Sequence, residues 1–239
     1  MDAQQYPFLD VLIPGNVTEE MEFSDDVFLP ALEKVCDKLK PLYSRFKGGY
    51  LYHRSLLIRP LVSTPEVRSV FEWNKPELWK RLMPDNFPDL SDVFFFAEDL
   101  LGTQWGVKDD RIVYWDQESF ENFEDFGATV DDWAKAILSD SETFTASPAA
   151  ILWEREHGEL PDGKRLMPFT PIYLGGDFDP YNLHAIDEFL NMGYRYEIAV
   201  QFTAADLNEG DSITYEFEDG VRVFDDGEKI TFLPPKDAN

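Results

Sequence analysis

The chain has 239 residues, 44% of them hydrophobic and 15% aromatic, so it contains enough apolar material for a packed core. Asp and Glu number 47 against 21 Lys and Arg, which gives a formal charge of −26 at pH 7. This excess repels phosphate backbones and anionic lipids, so we expect neither nucleic acid nor a membrane as a partner, whereas a basic protein would be attracted.

The sequence is typical of a reducing compartment. Cys36 is the only cysteine, so no disulfide can form within the chain. The first residues show no basic segment followed by an apolar run, and no stretch reaches the ~20 apolar residues of a membrane helix. We therefore expect a cytoplasmic, soluble protein.

The first predicted elements are a helix and a strand. Residues Ser24–Phe46 have helical spacing with acids in the first turn, and Pro41 ends or kinks this helix. Cys36 lies on its apolar face, which favours a buried thiol over a reactive one. Tyr50–Ile58 is aromatic and aliphatic enough for a strand.

The middle of the chain combines a short helix, a hairpin and a longer helix. "NKPELWKRLMP" predicts the short helix with Asn74 as its cap, and Val93–Phe96 predicts a strand. "TQWGV" and "RIVYW" flank a turn at Lys108–Asp110, which predicts a hairpin. Thr129 caps the helix in "TVDDWAKAILSD".

The last hundred residues also combine helices and strands. One predicted helix ends at Gly158, and another runs from about Asn182 to Met192. Glu197–Phe202 predicts a strand. The alternation in "SITYEFEDGVRVFDDGEKITFLP" predicts further strands with turns at "EDG" and "DDG".

Two stretches raise the question of a metal site. Glu154 and His157 lie one helical turn apart, which suits either a metal ligand pair or a surface helix with salt bridges. "DFDPYNLHAIDE" matches a calcium loop at its first, third and twelfth positions, but Tyr181 and Asn182 stand where an oxygen ligand and a glycine are needed. We expect no metal and no cofactor, and we interpret Asp179 as a turn residue.

Catalytic motifs are absent from the sequence. It contains no nucleophile elbow, phosphate-binding loop, dinucleotide fingerprint or zinc protease motif. Adjacent carboxylates occur at Glu98–Asp99, Asp109–Asp110 and Glu124–Asp125, but such pairs arise by chance among 47 acids. We expect a protein that is not an enzyme.

The run from "FFFAEDLLGTQWGV" to "DDWAKAIL" resembles the SMI1/KNR4 family, also called the SUKH superfamily. "GGYLYHRSLLIRP" and "WNKPELWKRLMP" upstream follow the order of its bacterial members, and residues from "HGELPDGKRLMP" onward resemble an extension in some of them. One departure is Leu101, where the family has an aromatic residue before Gly102.

The resemblance implies an α+β fold with a central, mostly antiparallel sheet flanked by helices. It implies one domain over residues 1–239, with an SMI1/KNR4-like core at about 24–140 and a C-terminal extension at 141–235 packed on it. Many bacterial members are non-catalytic immunity proteins that neutralise a secreted toxin, and fungal members are interaction hubs. We therefore expect an immunity protein for a basic, nuclease-like toxin, or alternatively a regulatory scaffold.

The hairpin region supplies the candidate partner-binding residues. We expect an exposed acidic and polar face here, and Trp115 is either a core residue or an interface anchor. The exposed candidates are Asp99, Gln104, Asp109, Asp110, Asp116 and Glu118.

Overall fold

The fold is α+β, with a seven-stranded antiparallel sheet flanked by helices. It is seen in a computed structural model that describes residues 5–80, 89–117, 123–172 and 175–195. The backbone is also described at 214–218, 221–225 and 229–231. The sequence prediction of the fold class is thus confirmed.

Each strand of the large sheet pairs with the next one along the chain, so the sheet is a meander from β1 to β7. This order needs only local connections, which suits short strands separated by turns. The strands are β1 (Val17–Glu20), β2 (Gly49–Leu51), β3 (Leu56–Ile58), β4 (Phe94–Glu98), β5 (Gln104–Lys108), β6 (Arg111–Trp115) and β7 (Glu124–Gly127).

Seven helices lie among the described residues of the first two thirds of the chain. They are α1 (Pro7–Asn16), α2 (Asp25–Lys34), α3 (Lys40–Tyr43), α4 (Val70–Trp73), α5 (Val130–Ser139), α6 (Ser141–Thr145) and α7 (Ser147–His157). None of the described helices has the length and apolar character needed to span a bilayer.

The described residues of the C-terminal part include two small sheets. β8 (Lys164–Pro168) pairs with β9 (Leu183–Asp187), and a helix, α8, follows at 188–195. The strands β10 (Thr214–Glu218), β11 (Val221–Asp225) and β12 (Lys229–Thr231) form an antiparallel sheet. The predicted strands at the end of the chain are confirmed, whereas their two turns and the strand predicted at Glu197–Phe202 lie outside the described residues.

One face of the large sheet is covered by α1 and α5. The ring of Phe96 packs edge-on against Trp133 at 5.2 Å, and Trp105 lies 6.4 Å from the same indole. The amides of Phe8 and Leu9 both donate to Asp131 Oδ1 at 2.9 Å, which fixes α1 against the start of α5. This face therefore carries the largest apolar core of the described chain.

The other face carries a second aromatic cluster. Trp79 stacks on Trp115 with ring centroids 5.8 Å apart and also packs on Trp73 and Phe95, both at 5.5 Å. The side chain of Asn74 bonds both the amide and the carbonyl of Phe95, at 2.8 and 2.7 Å. Asn74 thus closes α4 and holds β4, so the prediction that it caps the start of a helix is wrong. The part of that predicted helix from residue 81 onward lies outside the described residues.

The segment predicted as one strand at Tyr50–Ile58 is a hairpin of β2 and β3. Its turn places Tyr52, His53 and Arg54 in the left-handed region, with φ of 52°, 55° and 63°. Contacts from elsewhere hold this costly conformation: the amide of His53 donates to Thr18 Oγ1 at 2.9 Å, and Arg54 pairs with Glu159 at 3.0 Å.

Two helix predictions are also corrected. The predicted helix at Ser24–Phe46 is two helices, α2 and α3, and Cys36 is exposed between them rather than buried. The helix predicted from Asn182 begins only at residue 188, because the preceding residues pair with β8. Asp187 then caps α8 by accepting from the amide of Phe189 at 3.0 Å.

The C-terminal elements contact the large sheet through both backbone and side chains. The amide of Leu166 on β8 donates to the carbonyl of Leu100 at 2.9 Å, and Leu100 packs with Trp153 of α7 in one buried cluster. The predicted division into a core and an extension remains a prediction.

Candidate functional site

Two of the seven candidate residues form the exposed turn between β5 and β6. Asp109 and Asp110 have left-handed φ of 47° and 60°, which Asp tolerates better than most residues. The side chain of Asp110 is 92% exposed, although Lys38 Nζ lies 2.9 Å from its carboxylate. Both carboxylates can therefore be reached by another protein.

Asp99 closes the tight turn between β4 and β5. Its Oδ1 accepts from the amides of Leu101 and Thr103 at 2.9 and 2.8 Å, and the residue is 6% exposed. Burial raises the pKa of Asp99 to about 6, partly offset by the charge of Arg195. The prediction that Asp99 is exposed is wrong, because the turn needs its carboxylate as an internal acceptor.

Gln104 is fully buried at the start of β5. Its Nε2 donates to Glu98 Oε2 and to the carbonyl of Gly102, both at 2.8 Å, while its Oε1 accepts from Trp73 Nε1 at 2.9 Å. The prediction that Gln104 is exposed is wrong as well, because all of these partners lie inside the fold.

The last three candidates differ in position. Trp115 is 1% exposed and packs between Trp79 and Phe95, so it is a core residue. Asp116 is partly exposed and pairs with Arg195 at 3.2 Å. Glu118 lies outside the described residues. The structure thus separates the described candidates into an exposed turn, three buried residues and the partly exposed Asp116.

A buried charge network lies on the face of the sheet that holds Gln104. Glu98 at the end of β4 accepts from Arg59 Nη2 at 2.6 Å and from Arg165 Nε at 2.7 Å. Arg59 Nη1 also donates to Glu188 Oε2 at 3.0 Å. All four side chains are 2% exposed or less, and we name them the charge network.

Neighbouring residues extend and cover the charge network. Arg68 Nη1 donates to Glu188 Oε1 at 3.1 Å, and the guanidinium of Arg59 lies over the ring of Trp73 at 3.5 Å. This stacking shields a buried cation with an aromatic face. The network therefore joins β3 and β4 of the large sheet to β8 and α8 of the C-terminal part.

The two carboxylates of the network ionise differently. Burial opposes the charged form of Glu98, but the adjacent Arg59 and Arg165 outweigh it and hold its pKa below the usual range. Burial raises the pKa of Glu188, against the opposing charge of Arg59. Both buried arginines therefore share Glu98 as a partner, and the charge of Arg59 is stabilised by Glu188 as well.

Sequence reasoning missed the charge network, although the chain contains a signal for part of it. Arg59 ends the apolar run "LLIRP", where a charged residue is buried only with a partner. In the sequence, Glu98 stands out only as half of a carboxylate pair, and Glu188 only as the last position of an incomplete calcium loop. Nothing local connects these residues, which come from separate elements.

The residues considered for metal binding contact different neighbours. Glu154 lies 3.2 Å from His53 Nδ1, whereas the ring of His157 packs on Trp153 at 4.9 Å. Asp179 accepts from the amide of Tyr181 at 2.8 Å, which confirms that it is a turn residue. Glu154 and His157 thus contact different groups, and the choice between the two interpretations stays a prediction.

Comparison with known proteins adds little to the geometry. No family model matches the chain, and no curated protein resembles it in sequence. Among solved structures, the chain is similar to Atu4351 from Agrobacterium tumefaciens, with 12% sequence identity and a TM-score of 0.49 over 88% of this chain and 92% of that one.

Proposed function

We propose that this protein is a non-catalytic binding protein, an immunity protein that neutralises a cognate secreted bacterial toxin by covering its working surface. The placement of charge carries the proposal. The described interior buries four arginines but only three carboxylates, so the core does not absorb the acidic excess of the chain. These residues are Arg54, Arg59, Arg165, Arg195, Glu98, Asp99 and Glu188.

An outer surface of this charge suits a basic partner. It accelerates encounter with a cationic protein and disfavours wrong partners of like charge. Asp109 and Asp110 lie at the tip of the β5–β6 hairpin, where two strands fix the backbone of the turn. Their carboxylates extend the acidic surface into solvent. A nuclease-like toxin has cationic residues for its own substrate, and these are the groups such a surface would cover.

Two of the carboxylates considered for catalysis have structural roles, which supports a binding function. Glu98 is held by two arginines in the buried charge network, and Asp99 accepts the amides of its own turn. Neither of these carboxylates is free to exchange a proton with a substrate at the surface.

Co-expression with the product of the adjacent gene tests the proposal. We expect a 1:1 complex, measured by calorimetry, with an affinity that falls as salt rises because exposed charges are screened. Failure to bind or protect against any neighbouring toxin would overturn the proposal. Binding to endogenous proteins instead would support the regulatory scaffold.

Charge reversal on the turn sharpens this test. Asp109→Lys with Asp110→Lys should slow association and weaken the complex, and Asp26→Lys with Glu33→Lys on α2 changes the total charge equally. A greater loss of affinity in the turn variant assigns a contact to the turn. Equal losses in both variants would show that only the overall charge matters.

A further inference from the structure

The loop between β8 and β9 lies against α7 and exposes aromatic side chains. Tyr181 is 74% exposed and Phe178 is 42% exposed, and Leu152 on the outer face of α7 is 44% exposed. Tyr181 is the most exposed large hydrophobic side chain in the part of the chain that the structure describes. Apolar groups exposed together mark interaction surfaces more often than single ones.

Contacts on several sides hold Tyr181 in place despite its exposure. Its amide donates to Asp179 Oδ1 at 2.8 Å, and its hydroxyl donates to Glu156 Oε2 at 3.4 Å. Its ring meets the ring of His157 edge-on at 6.4 Å. A side chain that is ordered before binding loses less entropy on binding, which is the property of a good interface anchor.

The charges around these rings define the partner. Glu156, Asp177 and Asp179 are all exposed beside the aromatic residues, and the sequence between residues 176 and 182 contains no lysine or arginine. An aromatic face attracts a cation, and an adjacent carboxylate adds a charge-assisted hydrogen bond to it. Ring and carboxylate together recognise a lysine or arginine side chain better than either does alone.

We propose that this face, which we name the α7 surface, binds a lysine- or arginine-bearing segment of the partner protein, with Tyr181 as its anchor. The inference rests on the proposed function, since the segment belongs to the basic toxin. It adds a second contact region to the β5–β6 turn. The α7 surface consists of Leu152, Glu156, Asp177, Phe178, Asp179 and Tyr181.

Substitutions in the complex with the adjacent gene product give the first test. Tyr181→Ala and Phe178→Ala should each weaken binding about tenfold or more, as truncation of an aromatic anchor does. Tyr181→Phe keeps the ring and should retain most of the affinity. Phe8→Ala on α1 is the matched control, because Phe8 is 38% exposed on another helix. A complex of unchanged affinity in the first two variants overturns the inference and leaves the proposed function intact.

A second test needs no toxin. An octa-arginine peptide is titrated into the full-length protein while backbone amide signals are recorded by NMR. We expect the signals of residues 177–179, 181 and 182 to shift at lower peptide concentration than those of other acidic regions, and we expect Tyr181→Ala to abolish this preference. If no toxin binds but the arginine peptide still shifts these signals first, the proposed function is wrong, and the α7 surface is still a binding site for cationic side chains. Where no complex forms, shifts that are spread evenly and unaffected by Tyr181→Ala overturn the α7 surface too.

Discussion

The two faces of the large sheet bury their side chains by different means. One face is apolar, where Phe96 and Trp105 pack against Trp133 of α5. The other face combines an aromatic cluster around Trp79 with ionised groups, since Arg59 and Glu98 pair beneath the C-terminal elements. An apolar face gains stability from area alone, whereas a charged one is stable only when every partner is present. We therefore expect the charged face to fix how the C-terminal elements dock.

Removal of the central anion should have the largest effect. Glu98→Ala leaves Arg59 and Arg165 buried without their shared carboxylate, so we expect a loss of about 3–5 kcal/mol in the free energy of unfolding. Urea denaturation measures it. Glu98→Gln, which keeps the acceptor oxygen without the charge, should lose less. A loss below about 1 kcal/mol for Glu98→Ala is typical of an exposed ion pair. It would contradict the view that the charged face depends on all of its partners.

Truncation on the apolar face should be nearly as costly but independent of pH. Ile112→Ala creates a cavity in a fully buried site, at a cost of about 2–5 kcal/mol in the free energy of unfolding.

The pH dependence separates the two variants. Glu98 has a folded-state pKa below its unfolded value, so its contribution to stability is present above the unfolded pKa and is lost as pH falls through the folded pKa. Urea melts at about pH 7 and about pH 4 should therefore shrink only the Glu98→Ala penalty. If the penalty of Ile112→Ala also shrinks between pH 7 and pH 4, pH does not distinguish the two faces of the sheet.

Local signals predicted those parts of the fold whose causes are local. The β5–β6 hairpin follows from alternation around Asp109–Asp110, and α5 follows from helical spacing after the Thr129 cap. The turn at residues 52–54 has no glycine to indicate its left-handed backbone, which distant contacts hold. The start of α8 was misplaced because pairing with β8 overrides a helical pattern at residues 183–187.

In the candidate site too, features with local causes were predictable and features that depend on distant contacts were not. Exposure of Asp109 and Asp110 was predictable, because a hairpin turn projects into solvent. Burial of Asp99 was not, because its acceptor role depends on how tightly the following turn closes. Gln104 is buried by Trp73 and Glu98, and no sequence spacing brings these three together.

Asp99 should reveal a smaller effect, of opposite sign to that of Glu98. Its pKa of about 6 lies above the usual value of 3.8, so the folded state holds a proton that the unfolded state releases. Stability from this group is therefore highest below about pH 4 and is lost as pH rises through about 6. Asp99→Asn keeps the acceptor for both amides and should stabilise the protein by roughly 1–2 kcal/mol at pH 8.

The pH dependence of that gain provides its control. Thermal melts of both proteins should converge towards pH 4, where Asp99 is neutral in the folded wild type. A variant that is less stable than the wild type at pH 8 would mean that the attraction between the charges of Asp99 and Arg195 outweighs the cost of burying the carboxylate. That result would place Asp99 with Glu98, as an anion whose charge the fold requires.

The smallest effect should come from the cap of α5, which lies at the edge of the apolar face. Thr129 Oγ1 accepts from the amide of Asp132 at 3.1 Å, and Asp132 Oδ2 accepts from the amide of Thr129 at 2.9 Å. Thr129→Ala removes one of these exposed bonds, so we expect a loss of about 1 kcal/mol, measured as a small fall in Tm. Trp133 in the first turn keeps the helix docked, which limits the damage. A loss as large as that of Glu98→Ala would mean that the apolar face depends on its polar edge as much as the charged face depends on its pairs.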